Sequence, residues 1–164
     1  MGGQVSICGY DPKTKLNPYD QALERARVAM KSGTLKGIIW HQGESDSHSG
    51  RSVGYEDKLR RVVEQFRKDL GDEKLPFVSG LLFKYEVVKK VEGKPSVNQD
   101  AKAINNAILD LQKLLGHYKV VALKKAKDKG DGTHLDSRSA REMGKKYAEA
   151  MAQLIKEVVP KKLK

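Results

Sequence analysis

The sequence predicts an α/β protein in three layers, with a parallel sheet between two helical faces. Three observations lead there. Amphipathic stretches of helical period alternate with short apolar runs along the chain. The apolar runs are too short for helices and lack apolar/polar alternation, which suits strands covered on both faces. The helical stretches between them are long enough to act as crossovers, which join strands in parallel and in a right-handed sense.

In "NPYDQALERARVAMKSG", Asn17 is placed to cap a helix, Pro18 takes the first helical position and Gly33 marks a stop. Tyr19, Leu23, Ala26 and Met30 share its inner face. "GIIWHQ" is the first strand, burying Ile38, Ile39 and Trp40. "YEDKLRRVVEQFRKDLG" is a helix with Tyr55, Leu59, Val62, Phe66 and Leu70 on one stripe and Gly71 past its end. "LPFVSGLLF" is the second strand, followed by a polar, glycine-containing connection. Residues 97–115 form a third helix on Val97, Ala101, Ile104, Ile108, Leu111 and Leu115. "KVVAL" is the third strand. The last helix is capped by Asp136, or by Ser139 with Glu142 as a capping box, and turns Met143, Tyr147, Ala150 and Leu154 inward.

The chain of 164 residues is read as a single domain with room for a real core. No apolar run is long enough to span a membrane, and "MGGQVSICGY" lacks the basic start and apolar stretch of a secretion signal. One cysteine, Cys8, excludes an internal disulfide and reads as a small apolar residue. The net charge of +11 is mostly lysine, scattered and without interleaved aromatics. That pattern describes a solvated surface and disfavours nucleic acid as a partner.

Ligands of open parallel sheets gather beyond the carboxyl ends of the strands. "HQGES" stands at one such end and "AKDKGDGTHLD" at another. Asp131 and His134 are spaced so that a carboxylate can hold one imidazole N–H and leave the other nitrogen as a base. By itself D-x-x-H is a weak signal, and a solvent-facing loop is its commoner meaning. Gln42 offers a neutral amide donor of the kind an oxyanion hole needs, Gly43 permits a sharp bend, and Glu44 can accept. Trp40 reads as a core or site-wall aromatic, and His41 as either a structural histidine or a substrate contact.

"LKGIIWHQGESDS", the "YEDKL" helix, "LPFVSG" and "DGTHLDSRSAREMGKKYAEAM" together resemble the sialate O-acetylesterase-type branch of the SGNH hydrolases, carbohydrate esterase family 6. The likeness runs over nearly the whole chain. It implies a flavodoxin-like fold and hydrolysis of acetyl esters on sugars by a serine nucleophile and a histidine base, with no metal and no cofactor. His134 matches the family's base, and Asp131 the carboxylate that orients it. Gln42 matches the oxyanion-hole glutamine of the H-Q-G-E block; Glu44 matches that block's glutamate, the alternative orienting acid. "GGQVSI" resembles the family's glycine block, so Gly2 or Gly3 would supply a backbone N–H to the oxyanion. His41 and Trp40 are the candidate substrate contacts, and an acetylated carbohydrate is the expected partner. Relatives are often exported, so the compartment stays open.

The family's nucleophile belongs to an earlier block, commonly G-Q-S-N, and this chain starts at the glycine block. The expectation is a partial domain over residues 1–164, lacking the first two strands, on the order of 50–80 residues. Ser6 lies at a distance from "WHQGES" that fits the second block and not the first. Such a chain is expected to be inactive or nearly so, and to self-associate through the sheet edge left open. The alternatives are a non-catalytic module that binds acidic glycans and, more weakly, a basic nucleic-acid-binding domain.

Overall fold

The computed structural model of the chain describes residues 17–83, 87–91 and 94–158. Over that range the elements are α1 (Pro18–Ala29), β1 (Ile38–Trp40), α2 (Tyr55–Asp69), β2 (Phe77–Gly80), β3 (Val88–Val91), β4 (Lys94–Val97), α3 (Gln99–Leu114), β5 (Tyr118–Val121) and α4 (Ser137–Val158). β1, β2 and β5 form a parallel sheet in that order, with Ile38 opposite Phe77 and Phe77 opposite Tyr118. Trp40, Gly80 and Val121 therefore end their strands along one side of the sheet. The predicted α/β class and the order of helices and parallel strands hold.

Successive strand residues face opposite sides, so the sheet supports two cores. On one face Phe77 and Tyr118 pack with Tyr19 and Leu23 of α1, Leu59 and Phe66 of α2, and Ile104 and Ile108 of α3. On the other, Val78 is covered by Met143, Tyr147, Ala150 and Leu154 of α4. Each such side chain, once fully buried, contributes roughly 1.5–3 kcal/mol.

The first strand is not covered on both faces. Ile38 and Trp40 pack on the first core, but Ile39 is 55% exposed, because α4 packs mainly on β5 and β2. Among the described residues nothing pairs with the outer edge of β1. The opposite edge is protected. Gln112 accepts the backbone N–H of Val120 at 2.7 Å, and the Lys119 ammonium is held by Gln153 and Glu157. A groove of about 480 Å³ runs along this flank.

The polar connection after β2 contains an antiparallel hairpin, β3 on β4, with Val88 opposite Val97. Its short strands mix valine with lysine and carry no apolar run. Val97, expected on the inner face of a helix, is 46% exposed in β4. The helix starts after Asn98, whose side chain accepts from the Ala101 N–H at 3.2 Å. Met30, also expected inside, is 39% exposed, since α1 ends before it. At α4 the cap is Asp136, which accepts the Ser139 N–H at 2.7 Å; Ser139 is buried inside the helix and makes no capping box.

One charge is buried at the amino ends of the strands. The Arg67 guanidinium donates to the carbonyls of Leu75, Gly116 and His117, joining α2 to the entries of β2 and β5. Burial pushes its pKa down from the usual arginine range.

Candidate active site

The segment that follows β5 folds into a small antiparallel turn. The Lys129 N–H donates to His134 O and the Asp136 N–H to Lys127 O, both at 2.9 Å, with Asp128 bridged to Leu135. Gly130 and Gly132 sit at positive φ at its tip, and both donate N–H to Asp128 Oδ1. Ser139 of α4 accepts the Lys127 N–H, which fixes the turn to the helix.

This frame presents Asp131 and His134 together. Asp131 Oδ2 lies 2.7 Å from His134 Nδ1, and Oδ1 accepts the backbone N–H of His134 at 2.8 Å and of Thr133 at 3.1 Å. Lys129 adds its ammonium at 3.3 Å. The His134 backbone bond, then its ring, holds the Asp131 carboxyl well below the usual range. The His134 side chain is 69% exposed.

The chain turns sharply where β1 ends. Gly43 adopts φ +145°, and a Cβ there would sit 2.9 Å from Ile104 Cγ2, so the bend needs glycine. The Gln42 side chain is clamped on both sides. Its Nε2 donates to Asp46 Oδ2 at 2.7 Å, and the Tyr55 hydroxyl shares its one hydrogen between Gln42 O at 2.8 Å and Gln42 Oε1 at 3.1 Å. One amide hydrogen of Gln42 is left beyond the bond to Asp46. Burial pushes the Tyr55 hydroxyl pKa up, so it stays a donor. The loop beyond is tied to the start of α3: Asn98 donates to Ser47 O, and Asp100 accepts from the Gly50 N–H and the Ser52 hydroxyl.

His41 is half-buried. Its ring stacks on Phe83 at 5.0 Å, its Nδ1 meets the Tyr147 hydroxyl at 2.7 Å, and its Nε2 lies 3.8 Å from Glu44 Oε1. Burial lowers the His41 pKa against the opposing pull of Glu44. Trp40 is half-buried and packs toward Phe77 at 6.3 Å. The second core joins the two strand ends: Phe83, stacked on His41, belongs with Leu135, the neighbour of His134.

His134, Asp131, Gln42, Glu44, His41 and Trp40 thus all stand at the carboxyl side of the sheet. Among the described residues no hydrogen bond or ion pair links His134 to the 41–44 segment, and the carboxylate on its ring is Asp131, not Glu44. Gly2, Gly3, Ser6 and Cys8 lie outside the described residues. No group of three or more histidine, cysteine, aspartate or glutamate side chains is placed to hold a metal ion among the described residues, and no described helix is long and apolar enough to cross a membrane. Sequence reasoning passed over Tyr55, Tyr147 and Asp46. Both tyrosines fall on inward stripes, where a hydroxyl needs a partner.

Solved structures share the fold. A protein of Arabidopsis thaliana matches at TM-score 0.67 and 23% identity, over 82% of this chain and 52% of its own. NanS matches at 0.66 and 18%, over 85% and 53%, and a carbohydrate acetylesterase from Xanthomonas citri at 0.58 and 21%, over 76% and 27%. The chain therefore spans about half the length of the first of these. Residues 1–153 match the family described as carbohydrate esterase, sialic acid-specific acetylesterase, and the chain belongs to that family.

Proposed function

We propose that this chain carries the base and oxyanion side of a site that hydrolyses acetyl esters on sugars. His134 is the general base, held by Asp131; Gln42, with an N–H from Gly2 or Gly3, stabilises the tetrahedral oxyanion; His41 and Trp40 form the wall beneath, and Glu44 stands at the mouth. The observation that carries this reading is the 2.7 Å contact of Asp131 Oδ2 with His134 Nδ1, which leaves Nε2 free to take a proton. A serine would attack the acetyl carbonyl as His134 takes its proton. His134 then returns that proton to the sugar oxygen as it leaves, and water, giving a proton to His134 in turn, attacks the acetyl-serine and releases acetate.

No G-Q-S-N block occurs in the 164 residues, so the chain by itself is inactive or nearly so. Two measurements test this. With p-nitrophenyl acetate the chain is expected to turn over no faster than its His134→Ala variant. Fused behind a relative's segment carrying the G-Q-S-N serine, it is expected to gain turnover that His134→Ala lowers about 10²–10⁴-fold. Hydrolysis that survives the substitution in the fused protein contradicts the reading.

The net charge of +11 favours one second reading, a non-catalytic module for acidic glycans. It predicts salt-sensitive retention on heparin without any gain of turnover in the fused protein.

A further inference from the structure

His41 moves no proton in the reaction as drawn, yet its surroundings are ordered around it. The Tyr147 hydroxyl lies 2.7 Å from His41 Nδ1 and 3.2 Å from the Trp40 carbonyl. A hydroxyl has one hydrogen to give and lone pairs to accept with, so it either donates to Nδ1, or donates to the Trp40 carbonyl and accepts from an Nδ1–H. The other ring nitrogen, Nε2, is buried without a hydrogen-bond partner among the described residues, and the group facing it is the Glu44 carboxyl at 3.8 Å. The two side chains are only 26% and 29% exposed. A bare Nε2 would aim its lone pair at a carboxylate in a poorly solvated place, whereas an N–H there is attracted to it.

The Glu44 side decides between the two: the carboxyl facing the buried Nε2 places the hydrogen of the ring on Nε2, and the 2.7 Å contact at Nδ1 is then the one the Tyr147 hydroxyl donates. We infer that Tyr147 and His41 are positioning residues for Glu44, the Tyr147 hydroxyl donating to Nδ1 and fixing the tautomer whose Nε2–H faces the Glu44 carboxylate and attracts it across 3.8 Å at the mouth of the site. The chain runs from α4 through the imidazole to the H-Q-G-E loop. It ties the helix that carries the His134 turn to the loop that carries Gln42. Gly80 keeps the space open, because a Cβ there would collide with the Tyr147 hydroxyl, His41 Nδ1 and the Met143 methyl. Phe83 holds the ring plane from the other side.

The use made of Glu44 rests on the esterase reading; the tautomer does not, since it is read without substrate or turnover. The test is ¹⁵N NMR of the 164-residue chain labelled in its histidine rings, at neutral pH. The expected spectrum shows His41 with hydrogen on Nε2 and an Nδ1 signal displaced by an accepted hydrogen bond. In Tyr147→Phe that Nδ1 signal moves to the position of an unbonded nitrogen, while the His134 signals stay in place. Hydrogen on Nδ1 of His41 in the unaltered chain overturns the inference, whether or not the variant folds. An Nδ1 signal that Tyr147→Phe leaves unmoved removes Tyr147 from it.

Discussion

Asp131 holds His134 twice, at the ring by Nδ1 at 2.7 Å and at the backbone N–H at 2.8 Å. One carboxylate thus sets both where the residue sits and which way its imidazole turns. Asn at 131 keeps an acceptor for the backbone but loses the charge that stabilises an imidazolium. Asp131→Asn in the serine-supplied protein is expected to lower kcat about 10²–10⁴-fold, with little change in KM. An equal loss from Glu44→Gln would instead assign the orienting role to Glu44.

Gly43 makes the turn that separates the buried strand from the polar loop. An alanine there meets both the positive φ and the Ile104 methyl. Gly43→Ala is expected to cost about 1–3 kcal/mol, read as a lower urea midpoint. An unchanged midpoint would show that the bend does not need glycine.

Burial holds the His41 pKa below its ordinary value, so the unfolded chain binds more protons than the folded one just under pH ~6.5. Stability is then full above that pH and declines as pH falls toward the folded pKa. The lowered carboxyls of Asp131, Asp69, Asp100 and Asp136 act in the same direction but only below pH ~4. Urea midpoints are expected to drop from pH 7 to pH 5, and to drop less in His41→Gln. Parallel profiles for the two proteins would contradict the assignment.

Among the described residues the outer edge of β1 is unpaired and Ile39 is exposed beside it. We propose that the isolated chain associates through this edge. Sedimentation at micromolar concentration is expected to show species larger than a monomer, and Ile39→Lys to reduce them. A compact monomer with a cooperative melt contradicts this.

The helices and the parallel sheet were legible because their signals are local: Asn17 and Pro18 open α1, and Met143, Tyr147, Ala150 and Leu154 repeat at helical spacing along α4. The β3–β4 hairpin was not, since lysines interrupt it and its pairing is made only in space. The same holds at the site. The Asp131–His134 contact spans three residues and could be read from spacing, but the clamp on Gln42 joins Tyr55 across 13 residues and the bond on His41 joins Tyr147 across 106. Ile39 was misplaced for a related reason: an apolar run shows that a strand can be buried, not which neighbours reach it.

The central claim is that His134 and Gln42 act on one reacting group. It is tested most directly by acetyl-ester turnover of the serine-supplied protein carrying His134→Ala, Gln42→Ala, or both. If both act on it, Gln42→Ala lowers kcat about 10²–10³-fold, His134→Ala lowers it about 10²–10⁴-fold, and the double variant falls below either. A Gln42→Ala protein with undiminished turnover contradicts the claim.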